Sequence, residues 1–141
     1  MSDDVYAWRD VRFTLPAGLE DETVLTFRGA NYSLTLTRDV LAGVALEDWA
    51  RGQERAMAQQ NLAAYVAEGP KLLDGVPAGM KALVVDRRFG DQSGQPVFQR
   101  QCFVALGGAV AIVTTTSREP ASAKAKQAAL ALVQTLRPAD R

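Results

Sequence analysis

A chain of 141 residues has room for one domain around one core, and its 48% hydrophobic residues suffice to fill it. Its 16 basic and 16 acidic residues cancel. Lys and Arg are scattered among the acids, with Arg87 beside Arg88 and Lys124 near Lys126 as the densest pairs. The basic stripe that displaces counterions from phosphates is therefore missing, which argues against a nucleic-acid partner.

The chain opens on Met1-Ser2-Asp3-Asp4, an acidic start with no apolar stretch behind it, so no secretory signal is expected. Tyr6 to Leu15 alternates loosely up to Pro16-Ala17-Gly18 and predicts a first strand and a turn. After the acidic trio Glu20-Asp21-Glu22, the runs Thr23 to Arg28 and Tyr32 to Thr37 both alternate. Gly29-Ala30-Asn31 between them predicts a hairpin. A long helix is expected from about Leu46 to Ala67, with Glu47 and Asp48 suited to its N-terminal dipole and Gly69-Pro70 ending it. A short strand over Lys71 to Asp74 precedes three longer ones: Lys81 to Phe89, Val97 to Leu106 and Ala109 to Thr116. Their turns at Gly90 to Gly94 and Gly107-Gly108 predict an antiparallel meander. A C-terminal helix follows between Pro120, placed as a first-turn proline, and Pro138, with Ala129, Leu132, Val133 and Leu136 as its apolar stripe. The order is strands, long helix, strands, helix, without βαβ alternation. It predicts a single α+β domain: an antiparallel β-sheet with a long helix after the first hairpin and a C-terminal helix.

The catalytic inventory is thin. There is no histidine, which removes Ser-His-Asp and Cys-His catalysis and the commonest transition-metal ligand. The lone Cys102 precludes an internal disulfide, cannot build a zinc site by itself, and inside a strand pattern reads as a packed thiol. It fits a reducing compartment, and the expected location is the cytoplasm. Val104 to Val113, the longest apolar run, is broken by Gly107 and Gly108 and is too short to span a bilayer, so no stable membrane insertion is expected. Gly75 to Gly79 lacks the Lys-Ser/Thr of a phosphate loop, and Glu20 to Glu22 lacks calcium-ligand spacing. No cofactor, metal or catalytic residue is expected. The chain reads as a binding protein and not an enzyme.

The surface pattern is more informative. At 100° per residue, Leu46, Trp49, Ala50, Ala56, Met57, Ala64 and Ala67 gather on one side of the first helix, and Gln53 and Gln60 fall within that stripe. A buried amide without partners costs on the order of 1–3 kcal/mol, so each needs a bond inside the domain or one to a partner, unless it sits at a stripe edge that reaches water. On the hairpin, Leu25, Phe27, Leu34 and Leu36 can share the core face, leaving Val24, Thr26, Thr35 and Thr37 on the other. Gln99 and Gln101 share a strand face with Val97 and Phe103. Short hydroxyls and amides on a semi-apolar surface are the groups that hold helices together inside membranes. Such a surface suits an apolar helix in a groove, or else the cover of a second helix or subunit.

The arrangement also carries a resemblance. Phe13-Thr14-Leu15-Pro16, Asp21 to Val24 leading into Phe27, and Ser33 to Asp39 form the opening. Trp49 with Gln53, Gly79 before a strand, Arg100 to Val104, and the strand into Thr114-Thr115-Thr116 form the sequel. Together, over nearly the whole chain, they resemble the DcrB-related family of small bacterial proteins and most closely its Eag branch, the effector-associated chaperones of type VI secretion. The resemblance implies a PsbP-like fold and a homodimer. Its implied partner is the hydrophobic N-terminal transmembrane segments of a PAAR or Rhs effector, shielded before the effector is loaded on the secretion spike. Val24, Thr26, Gln53 and Gln101 are the groove positions it implies, Thr26 standing where a larger aliphatic residue is expected; Gln60 is added from the helical wheel. The competing readings are a DcrB-like envelope binding protein, a structural subunit of a secretion system with no transmembrane client, and a small carboxylate or lysine enzyme.

Overall fold

The computed structural model describes residues 4–8, 10–19, 22–119 and 123–138. Its architecture is α+β, with one helix after the first long hairpin and one at the C-terminus. Strands β1 (Asp4–Trp8) and β2 (Val11–Leu15) pair antiparallel as a separate ribbon. The sequence predicted one strand there; the chain instead reverses at Asp10, with Trp8 opposite Val11. No Gly or Pro flanks Asp10 to mark that turn, so the alternation reads straight through it.

The main sheet has six strands in the order β3-β4-β8-β7-β6-β5, with every neighbouring pair antiparallel. These strands are β3 (Leu25–Gly29), β4 (Tyr32–Val40), β5 (Ala63–Leu72), β6 (Ala82–Gly90), β7 (Pro96–Leu106) and β8 (Ala109–Ser117). The predicted hairpin and the three-stranded meander are present within three residues of their expected limits. Asp91 secures the β6–β7 turn: it accepts from Ser93 N, Ser93 Oγ and Gln95 N, and Arg118 lies 2.6 Å away. Those bonds, led by the Ser93 hydroxyl, hold its carboxyl below the usual carboxylate range.

The first helix is the main correction. Helix α1 spans Leu46–Ala58, not Leu46 to Ala67. Asn61 adopts a left-handed conformation (φ 54°), a helix stop that Asn tolerates better than most side chains. The alanines beyond it, good helix formers in isolation, lie instead in edge strand β5 with Tyr65 and Val66. Gly69-Pro70, expected to end the helix, falls inside that strand, and the expected Lys71 strand is its last part. Two register shifts break β5, between Ala63 and Val66 and between Glu68 and Lys71. A proline and bulges are tolerated there because the strand is at the edge. Helix α2 spans Ala123–Thr135; Pro120 lies outside the described residues.

The two helices bury opposite faces of the sheet. Against α2, Ala129 and Val133 pack on Leu34, Ala82, Val84, Cys102, Val104, Ala111 and Val113, with Leu132 and Leu136 at the margin of the predicted stripe. Burial pushes the Cys102 thiol up to about 11, so it is an inert packed group. Against α1, Leu46 and Ala50 pack on Leu41, Leu83, Val85, Phe103 and Val110. Trp49 meets Phe103 edge-on at 5.1 Å between ring centroids. Phe103→Ala is expected to cost about 3–5 kcal/mol in urea unfolding. Phe27→Ala, at a half-exposed ring on edge strand β3, should cost about 1 kcal/mol or less.

Candidate functional site: the uncovered half-face

The helices sit diagonally. Helix α1 rests on β5, β6 and β7 of one face; α2 rests on β8, β4 and β7 of the other. Each face of the sheet therefore keeps a half that no described helix covers. The two halves differ in chemistry.

On the α2 side, the open half lies over β5 and β6. Glu68 pairs in register with Asp86, Val66 with Arg88, and Asp86 with Arg100. The Arg100 guanidinium forks the Asp86 carboxylate, Nε to Oδ1 at 2.8 Å and Nη2 to Oδ2 at 3.0 Å. Lys71 and Lys126 stand at the same cleft. This is a charged surface suited to water, with Arg100 and Asp86 paired within it.

On the α1 side, the open half lies over β3, β4 and β8. Thr26, Thr35, Thr114 and Gln101 form one transverse row across four strands. Beside it run Thr37 with Ile112, and Ser33 with Thr116 and Gln99. Thr26 is exposed and the others are half-buried. The first acid or base on this half is met only at its rims, at Arg28 and Asp39.

Beneath the margin of this field, at the edge of α1, lies a polar network that sequence reasoning did not find. The Arg87 side chain is fully buried. Its Nε donates to Glu54 Oε2 at 2.9 Å, and Nη2 lies 2.8 Å from the same oxygen in ionic contact outside good hydrogen-bond alignment. Its Nη1 donates to Gln99 Oε1 at 3.2 Å and to Gln101 Oε1. Tyr65 Oη donates to Glu54 Oε1 from strand β5. Gln101 Nε2 in turn donates to Thr114 Oγ1 at 3.1 Å. The signal for Arg87 was available: it continues the alternation of Leu83 and Val85 into the face that α1 covers, so a charge at that position needed a partner.

Of the sequence-predicted positions, Thr26 and Gln101 share the transverse row. Val24 stands one residue before β3 and is 55% exposed. Gln53 is exposed. At 100° per residue it falls between Trp49 and Ala50, both of which pack toward the sheet. Its exposure is that of a stripe edge that reaches water, so the side chain bears no desolvation cost. Gln60 is corrected. It lies in the turn after α1, exposed, its N–H donating to Met57 O, and it belongs to no helical stripe because the helix has already ended.

The DcrB family model matches residues 11–135, most of the chain. This chain belongs to the DcrB family. The fold of this DcrB-family member is also that of PA94, a Pseudomonas aeruginosa protein of unknown function whose crystal structure superposes with a TM-score of 0.74. That match is 22% identical and covers 99% of each chain, a likeness of fold. No curated protein matches the sequence. No helix among the described residues is long and apolar enough to cross a membrane.

Burial, and next the bond to the Glu54 carboxylate, raise the Tyr65 pKa above the ordinary phenol value. For a group raised on folding, the stability it adds is complete below the unfolded value of about 10 and is lost as pH climbs through the folded one. An ultraviolet absorbance titration should show a phenol ionising above the ordinary range that Tyr65→Phe removes. Wild-type stability should then fall more steeply than that of Tyr65→Phe above about pH 10.

Proposed function

We propose that this DcrB-family chain is an Eag-type chaperone of type VI secretion. In the donor cytoplasm it binds the hydrophobic N-terminal transmembrane segments of a PAAR- or Rhs-type effector and shields them until the effector is loaded on the spike. It works as a homodimer and catalyses no reaction. The observation that carries the proposal is the uncharged open half-face of Thr26, Thr35, Thr114 and Gln101, set against an opposite open half that is charged. The Eag assignment draws on the sequence resemblance; the DcrB family is its shown, broader frame.

The chemistry suits the task. An apolar helix of about 20 residues aggregates if left in water. A purely apolar clamp would hold such a helix but oppose its release. Hydroxyls and amides bond it at roughly 1 kcal/mol or less each, so the total is set by many weak contacts. Val24 and Ile112 at the margins, with Trp49 and Met57 on α1, supply partly exposed apolar surface.

The test is affinity purification of the tagged protein from its native cells, with mass spectrometry of what accompanies it. One large effector should be recovered, lost when its apolar N-terminal segments are deleted and weakened about tenfold when Gln53 and Gln101 are both changed to Ala, the worth of one or two such bonds. Recovery that ignores those segments would overturn the proposal.

A further inference from the structure

Arg87, on β6, has three partners on two other elements: Glu54 on α1, and Gln99 and Gln101 on β7. A guanidinium can only donate, so whichever end of each glutamine faces it must be the carbonyl oxygen. Arg87 thereby occupies Oε1 of both glutamines and turns both Nε2 groups away from itself. One N–H of Gln101 is taken by Thr114 Oγ1, and Gln99 Nε2 has no protein acceptor among the described residues. Had the oxygens faced outward, the same two residues would have offered acceptors.

We infer that Arg87 is a positioning residue for the open half-face: it fixes the amides of Gln99 and Gln101 so that the surface presents donors, which makes the surface selective for segments that carry acceptors. The inference rests on the chaperone reading of this surface and adds a selectivity to it. A purely apolar helix hides its carbonyls beneath branched side chains. One with a stripe of serines offers hydroxyl oxygens and, beside small side chains, reachable backbone carbonyls. Glu54 is part of the device, since it holds the other side of the guanidinium and so ties the amide orientation to the seating of α1. Tyr65 fixes the second oxygen of Glu54 and keeps that carboxylate from rotating toward the glutamines.

The test uses two probes, each an apolar helix of Leu and Ala fused to a soluble carrier, one with a Ser stripe and one with Leu in the same stripe. Wild-type protein should prefer the Ser-striped probe by about tenfold, the worth of two modest hydrogen bonds. In the double variant Glu54→Leu/Arg87→Leu, which removes the buried pair together and leaves no orphaned charge, affinity for the Leu-striped probe should persist while the preference falls to within about twofold, less than the worth of one such bond. A preference unchanged in the double variant would overturn the inference, as would equal wild-type affinity for both probes. Wild-type binding to neither probe would instead sink the chaperone reading beneath it. A second measurement needs no variant: nuclear magnetic resonance relaxation of the side-chain amides should find Gln99 and Gln101 rigid beside the exposed Gln127. Amides as mobile as that of Gln127 would overturn the inference by themselves.

Discussion

Two helices of 13 residues have a six-stranded sheet to cover, and they are too small for it. Each is about 20 Å long and 10–12 Å wide, while six strands at about 4.8 Å spacing make a sheet about 24 Å across whose long strands run about 30 Å. Each helix therefore protects less than half of one face. Their diagonal placement spreads that protection so that the central strand β7 is covered from both sides, and its Cys102, Phe103 and Val104 are each 1% exposed or less. The cost is an uncovered half on each face, one at each end of the sheet.

What occupies those halves decides what the molecule can do. Over β5 and β6 the side chains are charged, Arg100 and Asp86 forming a pair, so water is a sufficient partner. Over β3, β4 and β8 the side chains are threonines, a serine and two glutamines, groups that tolerate either water or a semi-apolar partner. Between them lies Arg87, the one fully buried charge among the described residues. Its pairing with Glu54, together with the Tyr65 bond to the same carboxylate, joins the C-terminal half of α1, where Gln53, Arg55, Ala56 and Ala58 are exposed, to the sheet. Removing one member of such a pair is costly because the other is left without compensation. The same contact that seats the helix also orders the amides of the open face.

The meander and the first long hairpin were legible because alternation and Gly-rich turns agree there, as at Gly107-Gly108 between β7 and β8. The Leu34 and Leu36 face was legible for the same reason. Helix α1 was overextended because Ala64 and Ala67 continue a helical stripe by type, whereas edge pairing of β5 with β6 offers more burial of Tyr65 and Ala67 than a free helix end would. That single error placed Gln60 in the site. Thr26 and Gln101 could be assigned to one face from alternation alone, but their alignment in one row depends on the strand order β3-β4-β8-β7, which no local pattern specifies. Arg87 was read only as half of a basic pair; its alternation with Leu83 and Val85 marked it as facing inward, but its partner Glu54 lies 33 positions away on another element.

The central claim is that the uncharged half-face, and not the charged one, receives the partner. Carbene footprinting of the protein with and without a carrier-fused apolar helix tests it directly. The account predicts that the helix suppresses labelling at Val24, Thr26, Thr35, Thr37 and Ile112 while Lys71, Arg88 and Lys126 label as before. Protection of Lys71, Arg88 and Lys126, with the threonine field labelled as freely as in the unbound protein, would contradict it.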